Sequence, residues 1–343
     1  MKSLAIEYRP KTFEDVVEQN STVLILKQQL KTDTVLHSYL FCGGAGTGKT
    51  TCARIFAKEI NKGKGSPIEM DAASNSSVED VRNIITQAKT QSLDSEYKVF
   101  IIDECHSISS QGWQAFLKLI EEPPAKSLFI FCTTDPQKIP KTILSRVQRY
   151  DFQRISCQGI IDRIKYILDI EKSKRDITYE NEAVEFIAKI ADGGMRDALT
   201  TLDKCLAFSS DLTVMNVQKA LGRVDFETMF SLTSAYLVEA NKELIQIIED
   251  IHSSGKDLKQ FINSYLTFVI DLIKFAFFDS CDYIQIPSNY LRNIRDLYGL
   301  TYNRRFVDLM NLLLDMSNRI KWESSPKCLI EAMFISGEES NND

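Results

Sequence analysis

No two of the eight cysteines (42, 52, 105, 132, 157, 205, 281 and 328) are spaced as a CxxC pair. That argues against a zinc-ribbon site and against a disulfide framework, both of which use clustered cysteines. Several lie inside apolar runs instead, the pattern of free thiols buried in a reducing compartment. The stretch MKSLAIEYRPKTFEDVV lacks the apolar centre of a signal peptide. The most apolar late stretch, FINSYLTFVIDLIKFAFF (261–278), is interrupted by Asp271 and Lys274 and is not expected to span a bilayer. Internal repeats and low-complexity linkers are absent as well. A surface-wide excess of positive charge is also missing, since the net charge is −6. Residues 1–222 balance at 29 basic against 29 acidic side chains, while 223–343 hold 12 against 18. Any contact with nucleic acid is therefore expected to be a local patch.

What is present is an ordinary globular composition. The chain has 343 residues, of which 44% are hydrophobic and 26% charged, enough apolar mass for two or three domains. HSYLFCG (37–43) is a short apolar run ending in glycine, and KTTCARIFAKEI (49–60) has helical periodicity, giving strand, loop and helix. IEMDAA (68–73), KVFIIDE (98–104), SLFIFCTTD (127–135) and RVQRYDF (146–152) are further strands, alternating with helical stretches near 78–90 and 111–121. Such alternation predicts a parallel sheet covered by helices. From about 155 the β-rich runs stop. Short helices are expected over 155–170, 180–191, 196–208 and 213–221. Longer amphipathic ones follow over 226–238, 241–253, 257–278, 287–297, 301–320 and 326–335, before a polar tail at 336–343.

GGAGTGKT (43–50) satisfies the G-x-x-x-x-G-K-[ST] pattern of a phosphate-binding loop. Its glycines let backbone N–H groups wrap around phosphate oxygens. Lys49 adds charge for the outer phosphates, and the Thr50 hydroxyl can ligate Mg²⁺. VFIIDEC (99–105) ends a strand with two carboxylates: Asp103 suits a metal-bound network, and Glu104 suits a base that aligns an attacking water. Alone that pair is a weak signal, because acidic residues often end strands; some 53 residues after a phosphate loop it is a strong one. CTTDP (132–136) reads by itself as a strand cap and turn. Arg146 reads as a surface arginine. Arg196 begins a helix, where the dipole does not favour a cation.

Taken in order, YRPKTFEDVVEQN, HSYLFCGGAGTGKTT, DAASN, VFIIDECH, FLKLIEEPP, TTDPQKIPKTILSRVQRYDF and GGMRDAL closely resemble the gamma/tau ATPase subunit family of the bacterial DNA polymerase III clamp loader. The likeness spans 1–222; the helical remainder fits that family's collar by position and composition only. The resemblance implies an AAA+ fold, with an α/β phosphate-loop ATPase domain at 1–154, a helical lid at 155–222 and a helical collar at 223–335. It implies ATP and Mg²⁺ as cofactors. Gly44, Ala45, Gly46, Thr47, Gly48, Lys49, Thr50 and Thr51 would hold the phosphates, with Thr50 and Asp103 at the metal. Glu104 would be the base, Thr134 the first sensor and Arg196 the second. Tyr8, Arg9, Pro10, Val16 and Val17 match the segment lining the adenosine pocket. Arg146 matches the arginine finger that reaches into a neighbouring subunit's ATP.

Three departures carry expectations of their own. The family's four-cysteine zinc module is missing from KEINKGKGSPIEMDAAS, so no zinc is expected. The family's SRC is SRV here, which leaves the arginine in place. Where the family places basic residues after DAAS to grip template-strand phosphates, this chain has NSSVEDVR, so Asn75 and Ser77 are uncharged and Arg82 keeps the cation. Losing two cations is expected to flatten the salt dependence of DNA binding by about one to two units of slope.

The implied partners are a sliding clamp, primer–template DNA and other loader subunits in a pentameric assembly, with the polymerase engaged indirectly and no membrane. The implied location is the cytoplasm at the nucleoid, or a host's cytoplasm for a phage-encoded chain. Ending after the collar, the chain resembles a truncated gamma-type product or a compact homologue. The sequence leaves two rivals: an AAA+ branch-migration motor, and a loader scaffold that binds ATP but scarcely turns it over.

Overall fold

The computed structural model describes residues 3–75, 77–92, 94–301 and 304–339. The chain folds into two compact units, one of residues 1–164 with 191–200 and the other of 165–190 with 201–343.

The first unit is built on five strands: β1 (Ser38–Gly43), β2 (Ile68–Asp71), β3 (Lys98–Asp103), β4 (Ser127–Thr133) and β5 (Gln148–Phe152). They pair in parallel in the order β2-β3-β4-β1-β5. Side chains alternate across a pleated strand, so each run contributes to both faces. Leu40, Cys42, Phe100, Ile102, Phe129 and Phe131 pack in one core with Trp113 and Phe116 of the Ser110–Glu121 helix. Tyr39, Phe41, Val99, Ile101, Leu128, Ile130 and Cys132 pack in the other, against Ala53, Ile55 and Phe56 of the Lys49–Ile60 helix. All seven residues of β4 are buried, which is why its sequence is nearly unbroken apolar. A helix over Asn20–Thr32, not among those expected from sequence, adds Val23 and Leu26 to the second core.

Because every strand runs the same way, their C-terminal ends share one edge, the side of an open parallel sheet that receives ligands. Register brings Cys42 of β1 beside Thr133 of β4 and Asp71 of β2 beside Asp103 of β3. The loops leaving β1, β3 and β4 therefore emerge together.

The second unit is helical, apart from a parallel pair of two-residue strands, β6 (Thr178–Tyr179) and β7 (Asp211–Leu212). That pair corrects the expectation that strand structure ends near 155. Although Asp271 and Lys274 interrupt it, the Leu258–Phe278 helix is, by length and composition, apolar enough to cross a membrane. Here Phe261, Ile262, Tyr265, Phe268, Val269 and Leu272 are buried within the unit. Its Asp271 is buried too, accepts a hydrogen bond from the Gln285 amide at 2.6 Å and has Lys274 at 3.6 Å. The final helix, Pro326–Glu339, runs into the segment expected to be a tail. The rest of that tail, 340–343, and positions 302–303 within the expected 301–320 helix lie outside the described residues.

Candidate nucleotide site

The loop between β1 and the Lys49–Ile60 helix takes left-handed turns at Gly46 (φ 70°) and Gly48 (φ 102°), conformations that glycine adopts without strain. The turns deliver the helix N-terminus, with its unpaired backbone N–H groups and favourable dipole, to the sheet edge. Lys49 is 6% exposed. Its ammonium donates to the carbonyl oxygens of Gly43 (2.9 Å) and Gly44 (2.7 Å), folding back on its own loop. Burial pushes its pKa down, opposed by Glu104 and Asp103 nearby. A cation held at a desolvation cost on two neutral carbonyls has a strong electrostatic reason to exchange them for phosphate oxygens. Thr47, also buried, donates to the Gly44 carbonyl at 2.9 Å and stiffens the loop.

At the end of β3, the Asp103 carboxylate accepts from Thr50 Oγ1 at 2.7 Å through one oxygen and from the Glu104 amide at 3.1 Å through the other. A hydroxyl and a carboxylate in contact are the hard oxygen donors that Mg²⁺ prefers, so this pair fits that ion. Glu104 itself is left-handed (φ 46°, ψ 42°), a costly conformation for a residue with a Cβ. Its Oε2 accepts from Thr134 Oγ1 at 3.1 Å and lies 3.3 Å from His106 Nδ1. That same nitrogen lies 3.1 Å from Thr133 Oγ1.

The far wall comes from the segment Gly193–Arg196. The Met195 amide donates to the Gly46 carbonyl at 3.1 Å, binding this segment to the phosphate loop. The approach is close enough that a Cβ on Gly194 would stand 3.3 Å from the Ala45 carbonyl and 2.9 Å from Asp197. The third wall is the N-terminal segment, tied down by Arg163, which donates to the Tyr8 carbonyl at 3.0 Å.

These walls enclose a cavity of about 280 Å³. It is lined by Tyr8, Arg9, Pro10, Val16 and Val17, by Ala45 through Thr51, by Asp103 and Glu104, and by Arg196. The polar loop thus faces a half-buried apolar slot, the combination a nucleotide needs for its phosphates and its base. Gly44 contributes through its carbonyl. Thr134 reaches the site through Glu104. Arg146 is not in these walls: it pairs with Glu121 at 2.8 Å and donates to the Thr142 carbonyl at 2.8 Å. Asn75, Ser77 and Arg82 are also elsewhere. Asn75 donates to the Asp71 carbonyl, Ser77 caps the Val78–Ala88 helix, and Arg82 is exposed on that helix.

Sequence reasoning missed Ala5, Ile155, Arg163, Met195, Asp197 and Leu199, which also line the cavity. No motif marks them, although Met195 and Asp197 flank Arg196. His106 was missed despite standing in VFIIDECH. Cys42 and Cys52 lie beneath the loop, and burial pushes their thiols up to about 11 and about 12, so both stay protonated and chemically quiet.

Residues 66–156 match the family described as "DNA polymerase III, delta subunit". Residues 159–211 match "DNA polymerase III clamp loader subunit, ATPase lid domain". The chain is 33% identical to the DNA polymerase III subunit tau of Bacillus subtilis, over 96% of this chain and 62% of that protein. It is 32% identical to the DNA polymerase III subunit gamma of Buchnera aphidicola, over 78% of this chain and 79% of that one. It spans about half the length of several other curated tau and gamma/tau relatives. Among solved structures, the Thermotoga maritima RuvB Holliday junction branch migration motor superposes with a TM-score of 0.51. That match covers 66% of this chain and 79% of the motor at 21% identity, a likeness of fold alone.

Proposed function

The chain belongs to the family of DNA polymerase III gamma and tau subunits, and from that membership we propose that it is an ATP-hydrolysing clamp-loader subunit. It opens a sliding clamp, places it on primer–template DNA, and lets go when hydrolysis follows. The observation that carries this reading is the meeting, in one cavity, of the phosphate loop, the Asp103–Glu104 pair and the Arg196 segment that is hydrogen-bonded to Gly46.

Each residue has a part in the proposal. Lys49 exchanges the carbonyls of Gly43 and Gly44 for phosphate oxygens. Tyr8, Arg9, Pro10, Val16 and Val17 hold the adenosine. Thr50 and Asp103 hold Mg²⁺, which supplies positive charge against the phosphates when bound. Glu104 aligns the attacking water and takes its proton, Thr134 stands as a sensor near the γ-phosphate, and Arg196 contacts phosphate. Arg146 serves the ATP of the neighbouring subunit. Residues 155–222 form the lid, and 223–335 the collar through which a pentamer assembles. Asn75, Ser77 and Arg82 meet the template-strand backbone. The setting is the cytoplasm, at the nucleoid or in a phage's host, where the replicative polymerase then uses the loaded clamp.

The test is transfer of a labelled clamp to primed circular DNA by the assembled loader, followed by gel filtration. We expect the clamp to elute with the DNA when ATP is present, and not when Lys49→Ala replaces the native chain. ATP-driven strand displacement on unprimed branched duplexes, without clamp transfer, would instead favour a branch-migration motor.

A further inference from the structure

We infer that His106 is a positioning residue for Glu104, holding one carboxylate oxygen so that the other is presented to water; this rests on the hydrolytic reading above.

The turn Cys105–Ser107 follows β3 directly and is closed by hydrogen bonds from the Ser107 amide to the Glu104 carbonyl (2.9 Å) and from the Ile108 amide to the Cys105 carbonyl (3.1 Å). It carries the imidazole to a point where Nδ1 lies 3.1 Å from Thr133 Oγ1 and 3.3 Å from Glu104 Oε2. The ring is only 19% exposed, and Thr133 is fully buried, so this contact sits on the rigid end of β4. The Thr133 oxygen also accepts the Asp135 amide at 3.0 Å, which fixes its place.

Electrostatics then selects the tautomer. A bare Nδ1 would aim its lone pair at a carboxylate oxygen 3.3 Å away, a repulsive arrangement. With the proton on Nδ1, the ring hydrogen-bonds to Thr133 Oγ1 and sets its positive N–H edge 3.3 Å from that oxygen. Glu104 Oε2 thereby gains a second attractive contact beside its hydrogen bond from Thr134 Oγ1 at 3.1 Å, while among the described residues Oε1 accepts no hydrogen bond. Thr134 follows the β4 end directly, and the imidazole rests on it through Thr133.

A left-handed residue just beyond the strand has no ladder to hold its side chain. The hydrogen bond from Thr134 and the electrostatic contact from His106, both on one oxygen, supply that restraint and leave the second oxygen for the water. Without His106, Glu104 keeps a single donor and regains rotamer freedom. The loss should fall on the reacting geometry and not on ATP binding, because among the described residues the side chains of Lys49 and Thr50 hydrogen-bond to Gly43, Gly44 and Asp103 and to neither His106 nor Thr133.

The experiment measures kcat and KM for ATP in the full-length chain within its assembly, for His106→Leu and His106→Asn. Leucine fills the space without a donor, whereas the asparagine side-chain amide can stand where Nδ1 stood. General-base catalysis contributes about 10²–10⁴-fold, so forfeiting its alignment should lower kcat in His106→Leu about tenfold or more. KM should stay within about twofold, the signature of an interaction made in the transition state. His106→Asn should recover most of the rate. A kcat in His106→Leu within twofold of the native value, or no recovery in His106→Asn, overturns the inference. Nitrogen-15 NMR of the His106 ring in the nucleotide-free chain needs no turnover: an Nδ1-protonated ring supports the pinning and an Nε2-protonated ring overturns it. A native chain with no ATP turnover would overturn the functional reading separately.

Discussion

Glu104→Gln should nearly abolish ATP hydrolysis while leaving ATP binding intact. The substitution keeps size and shape, and the amide oxygen can still accept from Thr134 Oγ1, now 3.1 Å from the carboxylate. What it removes is the ability to take a proton from water, a contribution of about 10²–10⁴ in rate. In the proposed site, binding is expected to be carried elsewhere, by Lys49 on the loop and by the slot of Tyr8, Val16 and Val17. Single-turnover hydrolysis and equilibrium ATP binding, measured side by side, separate the two. A rate within tenfold of the native chain would remove Glu104 from the role of base. Loss of binding would mean that the carboxylate organises the empty loop instead.

Arg146→Ala should cost as much in an assembly and almost nothing in the isolated chain. The side chain is 39% exposed and paired with Glu121, which is itself 41% exposed. Ion pairs so exposed contribute about 0–1 kcal/mol, so stability should change little. Arg146 does not line its own cavity, so its removal should leave ATP affinity alone. In a neighbour's site, an arginine delivered to the transferring phosphoryl group is worth about 10³–10⁵ in rate. The measurement is ATP turnover per subunit as concentration carries the chain, alone or with partner subunits, from dispersed to assembled. The native chain should accelerate on assembly and the variant should not. Equal acceleration in both would assign Arg146 to its Glu121 contact alone.

The parts of this molecule that were legible in its sequence are those in which local pattern and tertiary structure agree. β4 is read correctly because burial on both faces demands an unbroken apolar run, and SLFIFCT supplies one. The phosphate loop is legible because Gly46 and Gly48 must take left-handed turns, and no other residue does so freely. Strands of two residues, such as Thr178–Tyr179, contain no period to detect. The helix Asn20–Thr32 has a weak apolar stripe, and only packing on the sheet reveals its inner face. The site shows the same division. Lys49, Thr50 and Asp103 announce themselves by spacing. Met195 enters through a backbone hydrogen bond to Gly46 across nearly 150 positions, which no side-chain pattern encodes. Arg163 enters through its bond to the Tyr8 carbonyl, and His106 through a turn whose direction depends on the left-handed Glu104. The four-residue difference at the last helix, which runs to Glu339, has a simpler cause: a polar end continues the helix as readily as it frays.

In the proposed function, one cavity couples ATP hydrolysis to recognition of primed DNA. Steady-state ATP turnover, with primer–template DNA, with unprimed duplex of equal length and with neither, tests it most directly. Turnover should rise on primer–template DNA well above its rate on the unprimed duplex, and should be lost in Lys49→Ala. The same low rate in all three conditions, unchanged when the partner subunits and the clamp are supplied, would contradict it.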